Sequence, residues 1–151
     1  MPQGLDLSGS DLRQTVILKA DLTRVTLAGA TFQAAVLGEC SLAGNDLRGL
    51  SFKLTQLMGA DLSGCDLTGA VLTQCNFKDA DLRGAKLDEA TCGNALFIKA
   101  KLGRASLRRA YLRQSLFTDA DLDAAAFNGA DMQQCILTGR PAGARASTTP
   151  I

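Results

Sequence analysis

Carboxylates and thiols are the side chains in this sequence whose types could support catalysis or metal binding. The chain has 15 acidic residues and five cysteines but no histidine, so it lacks the usual general base and the commonest neutral metal ligand. The cysteines are odd in number and form no Cys-x-x-Cys pair, which argues against a disulfide framework and a zinc site. The sequence also has no phosphate-binding loop, nucleophile elbow, zinc-protease motif or calcium loop. We therefore predict no catalytic, cofactor-binding or metal-binding residues, and no enzyme.

The aspartates recur at a spacing that indicates structure more than chemistry. Asp21, Asp61, Asp81 and Asp121 each stand between an alanine and a leucine. An aspartate in such a place can accept hydrogen bonds from its own backbone at a turn. No nucleophilic partner accompanies these carboxylates, so the structural interpretation is favoured over a catalytic one.

Size and charge narrow the class of protein. The 151 residues have a formal net charge of +1, which argues against a strongly polyanionic or polycationic partner. The start of the sequence, MPQGLDLSGS, lacks the basic segment and apolar run of a signal peptide. No apolar run approaches the length that crosses a membrane. We expect a cytoplasmic protein without a membrane partner.

A hydrophobic residue recurs every five positions from Leu7 to Leu137, and we call these 27 positions the centres. The series has no insertion or deletion, and it includes all six phenylalanines. We call the position two residues before each centre the inward slot. It holds alanine in 15 repeats and cysteine in four. Its exceptions to a small side chain are Leu5, Asn45 and Leu50. We expect the cysteines to be buried as small hydrophobic residues.

A period of five fits neither an α-helix nor a flat strand. Five residues advance a helix by about 140°, and an odd number reverses the face of a strand. The pattern stays buried only if the backbone turns once per pentapeptide, which the many glycines two residues after a centre would suit. Opposite charges recur 20 residues apart, as in Arg109 with Glu89, and Phe77, Phe97 and Phe117 keep the same interval. The sequence therefore predicts a coil of four pentapeptides, stacked at about 4.8 Å.

The motif Ala-Asp-Leu, which stands at 20–22, 60–62, 80–82 and 120–122, resembles the A(D/N)LXX repeat of the pentapeptide-repeat family. The resemblance implies an all-β fold, the right-handed quadrilateral β-helix, which is a solenoid. At four pentapeptides per coil, 27 centres give about six to seven coils. We assign residues 1–4 to a lead-in, 5–139 to the β-helix and 140–151 to a C-terminal tail. We expect this tail to be disordered because its sequence is small, polar and proline-containing.

One side of the predicted coil carries aliphatic side chains where the other sides carry mostly charged or small polar ones. We call it the apolar face, and its outward residues are Val16, Leu18, Val36, Met58, Leu96, Ile98, Leu116 and Ile136. Such a stripe is typical of a protein interface, although aliphatic residues also suit extended backbone without any partner. We predict an interaction face. A homodimer is its simplest use, because a self-complementary patch closes under a two-fold axis.

A second candidate is the basic belt, a segment with six basic residues and no acidic one: Lys99, Lys101, Arg104, Arg108, Arg109 and Arg113. Such a cluster could bind a phosphate or another anion. The belt runs around the predicted rod, however, and the flanking coils bring opposite charges beside it. Tyr111 is the lone aromatic residue there, so the stacking platform of single-strand binding proteins is absent. We do not expect binding to nucleic acid.

These observations favour a non-enzymatic scaffold that presents β-helix faces to a protein partner, or to a second copy of itself. End-to-end association is another route to an oligomer, because the terminal coils of a β-helix present unpaired backbone. The resemblance also offers an alternative function. Some pentapeptide-repeat proteins mimic duplex DNA and modulate type II topoisomerases such as gyrase, but those relatives have a strongly acidic surface. Many family members come from cyanobacteria, so a bacterial source, cyanobacteria included, fits the resemblance.

Overall fold

A computed structural model describes residues 4–139 as a continuous succession of pentapeptide turns. Residues 1–3 and 140–151 lie outside the described residues, and the prediction of a disordered tail falls there, as does most of the predicted lead-in. Within 4–139 the backbone forms turns and single-residue bridges, with no helix and no longer strand. Each bridge residue directly precedes a centre, so each pentapeptide contributes one extended residue to a ladder.

Parallel bridges join residues that are 20 positions apart in the sequence and lie next to each other along the rod, as in Asp61 with Asp81 and Lys101 with Asp121. Four pentapeptides therefore complete one coil, which confirms the interval predicted from the charges and phenylalanines. The bridge pattern gives the coil four sides. On each side the amide of a centre donates to the next coil, for example Leu62 N to Asp81 O at 2.7 Å. The bridge residue donates in the other direction, as in Asp81 N to Ala60 O at 2.9 Å.

A β-turn makes almost every corner of the coil. The third residue after a centre donates to the carbonyl of that centre, for example Cys65 N to Leu62 O at 3.1 Å. The second residue after the centre has a positive φ, between 54° and 81°. Glycine occupies many of these corners, but 16 residues with positive φ are not glycine. Each of them stores strain of about 1 kcal/mol.

The core is a continuous column of centres and inward slots. Phe32 stacks on Phe52 with ring centroids 4.8 Å apart. Phe97 stacks between Phe77 and Phe117 at 5.0 and 4.8 Å. These stacks confirm the predicted phenylalanine ladders. Offset and parallel rings add specific attraction to the area that they bury. At the two ends of the described residues, centres such as Leu7 and Met132 are only partly buried.

Polar residues in the inward slots form a second internal ladder. Cys65 Sγ donates to Leu42 O at 2.9 Å, and Thr55 Oγ1 donates to Phe32 O at 2.7 Å. Each of these bonds reaches back 23 residues, to a centre of the preceding coil. Cys40, Cys75, Ser115 and Cys135 repeat the same arrangement. A small residue with a hydrogen-bond donor can therefore occupy the inward slot, because a backbone carbonyl of the preceding coil accepts its hydrogen bond.

One side of one coil departs from this regularity, and we call it the interrupted side. Among the described corner residues at this position, Arg24 is the one without a positive φ. Five successive ladder hydrogen bonds are missing between 24–30 and 43–51, and the ladder resumes where Phe32 N donates to Ser51 O at 3.0 Å. Asn45 and Leu50 fill adjacent inward slots on this side. Their size, where alanine is usual, separates the two coils locally.

Candidate protein-binding face

The apolar face is a real column of neighbouring side chains. The bridges place its outward residues in one row: Val16, Val36, Gln56, Asn76, Leu96, Leu116 and Ile136. Val16 is 66% exposed and Ile136 48%, while Val36, Leu96 and Leu116 are half-buried. In the next row, Leu18 and Met58 are 58% and 46% exposed, and Ile98 is half-buried. The structure thus brings all eight predicted residues to one side of the rod.

Three polar residues divide this face: Gln56 and Asn76 in the bridge row, and Lys78 between Met58 and Ile98 in the next row. The sequence prediction passed over this feature. Gln56 and Asn76 occupy the middle of the bridge row, and Asn76 Nδ2 donates to Gln56 Oε1 at 3.3 Å. The aliphatic residues therefore form two patches. The N-terminal patch is Val16, Leu18, Val36 and Met58, and the C-terminal patch is Leu96, Ile98, Leu116 and Ile136. The 20-residue interval makes this division visible in the sequence once the row is written out.

Charged residues border the apolar face at one corner. The residues there include Lys19, Glu39, Lys99 and Asp119, all of which are exposed. None of these four belongs to an ion pair among the described residues. Aliphatic patches rimmed by charged side chains are the usual anatomy of a protein interface.

The basic belt is distributed around the rod and does not form one patch. Arg109 pairs with Glu89 at 2.7 Å, and Arg113 pairs with Asp131 at 2.6 Å. Lys101 lies in the bridge row between Asp81 and Asp121. The six residues of the belt therefore lie on different sides of the rod, and carboxylates lie beside Lys101, Arg109 and Arg113. Of the cross-coil charge pairs predicted from the sequence, Arg109 with Glu89 is the one that forms an ion pair within residues 4–139.

The aspartates before the centres cap their own turns. Asp61 Oδ1 accepts from Ser63 N at 2.9 Å and from Ser63 Oγ at 2.6 Å. Hydrogen bonds from the Arg13 side chain and backbone lower the pKa of Asp11 to about 2. Arg48 does the same to the pKa of Asp46. Carboxylates held ionised by turn donors and arginine are unsuited to general acid chemistry at neutral pH.

The thiols are structural. Burial raises the pKa of Cys65 to about 11 and that of Cys75 to about 12, so both stay protonated and donate hydrogen bonds. Among the residues that the structure describes, no group of acidic or cysteine side chains is placed to hold a metal ion. In the same part of the chain, no helix has the length and hydropathy to cross a membrane.

A family model described as pentapeptide repeats (8 copies) matches residues 6–42, 27–64, 35–74, 75–114 and 100–139. None of the curated proteins matches the chain.

The chain is also similar to solved structures of other proteins. The chain is similar to the pentapeptide repeat protein Rfr23 from the cyanobacterium Cyanothece 51142, with a TM-score of 0.61, 21% identity and coverage of 88% of this chain and 91% of that one. It is 31% identical to a pentapeptide repeat protein from the Arabidopsis thaliana thylakoid lumen, with a TM-score of 0.29 and coverage of 80% and 70%. QnrB1, a plasmid-mediated fluoroquinolone resistance protein, is 20% identical, with a TM-score of 0.47 and coverage of 89% and 78%. The likeness to Rfr23 shows the fold, a right-handed quadrilateral β-helix.

Proposed function

The chain belongs to the pentapeptide-repeat family, and we propose that it is a non-enzymatic scaffold whose apolar face binds a protein. The observation that carries the proposal is the exposure of aliphatic side chains in two patches on one flat side. Val16 and Leu18 are more than half exposed, at 66% and 58%. Isolated exposed aliphatic residues are ordinary, but contiguous ones rimmed by charges are typical of binding surfaces.

The shape of the rod supports this role. Four pentapeptides per coil and 27 centres give six to seven coils, which is a rod roughly 30 Å long at about 4.8 Å per coil. One side of such a rod offers a flat strip whose residues are held by ladder hydrogen bonds. A rigid strip loses little conformational entropy on binding.

Topoisomerase modulation by DNA mimicry is the alternative function that the sequence raised, and the surface does not favour it. A duplex-like surface needs rows of negative charge. Here Lys101 interrupts the row that contains Asp81 and Asp121, and Lys86 follows Asp66 in another. Basic and acidic residues occur together in these rows, and the formal net charge is +1.

A reducing compartment such as the cytoplasm is also part of the proposal. Its support is the state of the cysteines, which are free thiols in the structure. Cys40, Cys65, Cys75 and Cys135 each donate Sγ–H to a carbonyl. A bond of this kind needs the reduced, protonated thiol.

A face-specific capture experiment tests the scaffold function. We would compare the tagged parent with Leu96→Lys/Ile98→Lys, which charges the apolar face, and with Val71→Lys/Thr73→Lys, which adds the same charge to a neighbouring side. After brief cross-linking in the source cells, the parent and the Val71→Lys/Thr73→Lys control should retain a protein, a second copy included, that the face variant loses. Equal recovery by all three proteins, or recovery of nothing by any, would overturn the proposal.

A further inference from the structure

We propose that the partner of the apolar face is a second copy of this chain, bound antiparallel with its two-fold axis between the levels of Gln56 and Asn76. The inference rests on the proposed scaffold function and specifies its partner and geometry. Three features of the face support it: the order of apolar and polar residues, the charges at the corner, and the failure of neighbouring registers.

The bridge row is self-complementary in this arrangement. A two-fold axis in the interface, perpendicular to the rod, reverses the order of coils and keeps each row opposite itself. Val16 then faces Leu116 of the second copy, and Val36 faces Leu96 of the second copy. Two aliphatic residues of each N-terminal patch therefore lie on two of the C-terminal patch of the other copy. In the neighbouring row, Ile98 faces Gly38, Leu18 faces Thr118, and Met58 faces the aliphatic stem of Lys78. The polar pair, Gln56 and Asn76, meets the same pair at the axis, where both amides can exchange hydrogen bonds.

The corner charges agree with the same axis. The corner row contains Lys19, Glu39, Gly59, Asp79, Lys99 and Asp119, spaced by the 20 residues of a coil. Lys19 falls opposite Asp119 of the second copy, and Glu39 falls opposite Lys99. Each contact occurs twice because of the symmetry, so the interface gains four attractive pairs at its rim. Complementary rim charges select orientation and register more than they add affinity.

Registers displaced by one coil lose the charge pairs and the match between the amides, although the second of them still places Val16 against Ile136 and Val36 against Leu116 of the other copy. In one of them Lys19 faces Lys99 and Glu39 faces Asp79, and Val36 faces Asn76. In the other Glu39 faces Asp119, and Gln56 faces Leu96. Like charges and buried unpaired amides penalise both alternatives.

A parallel two-fold arrangement also matches aliphatic residues, because it places Val16 against Leu18 of the second copy. The parallel arrangement, however, places the corner charges opposite a neutral row that contains Gln14, Asn94 and Gln114. It therefore forms none of the four attractive charge pairs of the antiparallel dimer. The charges favour the antiparallel dimer.

Two cysteine variants test the geometry directly. In the antiparallel dimer, Val36→Cys of one copy lies opposite Leu96→Cys of the other, so a mixture of the two variants should form a disulfide-linked dimer under mild oxidation. Each variant alone should not cross-link, because identical positions are three coils, about 14 Å, apart. Absence of the mixed product from a solution that light scattering shows to be dimeric overturns the arrangement, while face-dependent capture would still support the scaffold function.

A charge exchange tests the register. Lys19→Glu/Glu39→Lys leaves the net charge unchanged but creates four like-charge contacts, and it should raise the dimer dissociation constant by about tenfold or more. Adding Lys99→Glu/Asp119→Lys restores every pair and should return the constant to near the parent value. A monomeric parent, or an exchange without effect, overturns the inference. An effect that the second exchange fails to reverse also overturns it. In each case the capture experiment decides separately whether another protein binds the face.

Discussion

The side-chain amide of Asn45 donates a hydrogen bond to the backbone carbonyl of Leu22, 3.0 Å away, beside the interrupted side. This bond continues the internal ladder that cysteine, serine and threonine form elsewhere. The longer asparagine occupies more of the slot, however, and Leu50 fills the next slot at 8% exposure. Together they replace ladder hydrogen bonds with packing and one side-chain bond. Residues 24–30 are therefore attached more weakly to residues 43–51 than neighbouring coils are elsewhere in the rod.

Hydrogen exchange should show this weakness. The amides of Leu27 and Gly29 have no ladder acceptor on the interrupted side, whereas Leu47 N donates to Asp66 O at 2.8 Å and Gly49 N to Thr68 O at 3.0 Å one coil further on. We expect Leu27 and Gly29 to exchange at least about tenfold faster than Leu47 and Gly49, because an amide without a ladder hydrogen bond can exchange without breaking one. Equal protection of the two pairs, measured residue by residue by NMR, would show that the ladder is intact.

Corner strain should be removable at Gln114. This residue has φ +62° and is exposed, so Gln114→Gly relieves a left-handed conformation while removing little buried surface. We expect the free energy of unfolding to rise by about 1 kcal/mol. The converse change, Gly64→Ala, has open space for its Cβ and φ +65°, so it should destabilise by a similar amount. Chemical denaturation measures the free energy of unfolding of both variants and the parent. If both substitutions changed it in the same direction, the strain account would be contradicted.

A charge placed at a centre should prevent folding. Leu102 is fully buried within the ladder, and Leu102→Asp would bury an unpaired carboxylate at a cost of several kcal/mol. Thr73→Asp introduces the same carboxylate at an outward position and should leave the melting temperature within a few degrees of the parent. Circular dichroism on heating compares the two. Cooperative melting of Leu102→Asp at the parent temperature would mean that the centres do not point inward.

The buried thiols should make the fold sensitive to alkali. The pKa of Cys65 is raised to about 11 and that of Cys75 to about 12, from an ordinary value of 9.0. The folded state therefore holds these protons more tightly than the unfolded state. Their contribution to stability is complete below pH 9 and is lost as the pH rises toward 11 and 12, with a slope of about 1.4 kcal/mol per pH unit for each thiol.

Denaturation at pH 7, 9, 10 and 11 tests this dependence, with Cys65→Ala/Cys75→Ala as the matched variant. Alanine is the commonest residue in the inward slot, so the variant should lose about 2 kcal/mol or less at pH 7 through its two weak hydrogen bonds. It should then lose less stability than the parent between pH 9 and 11. Parallel pH profiles for the two proteins would refute the assignment of this slope to the thiols.

Much of the fold could be predicted because the repeat leaves few ways to bury its centres. The interval of 20 followed from charges such as Arg109 with Glu89, and the bridges confirm it. The identities of most ion pairs could not be predicted in this way. Arg83 pairs with Asp81 in its own pentapeptide, because a long side chain that directly follows a centre can reach a neighbour two residues away as easily as one in the next coil.

The interrupted side shows a second limit. Asn45 and Leu50 were recognisable as exceptions in the inward slot, but their effect depends on how adjacent coils separate to accommodate both of them. Leu5 is an equal exception in the sequence, yet its carbonyl still accepts from Thr26 N at 3.0 Å. A single large side chain is tolerated at the partly open end of the rod, whereas two adjacent ones in its interior are not.

Solution mass tests the central claim most directly, because the account makes the apolar face an interface between copies of this chain. Light scattering on the gel-filtered parent should give about twice the chain mass of 15.8 kDa. Leu96→Lys/Ile98→Lys should give a single chain, and Val71→Lys/Thr73→Lys should remain a dimer. A monomeric parent at tens of micromolar, or a dimer that persists with both lysines on the apolar face, would contradict the account.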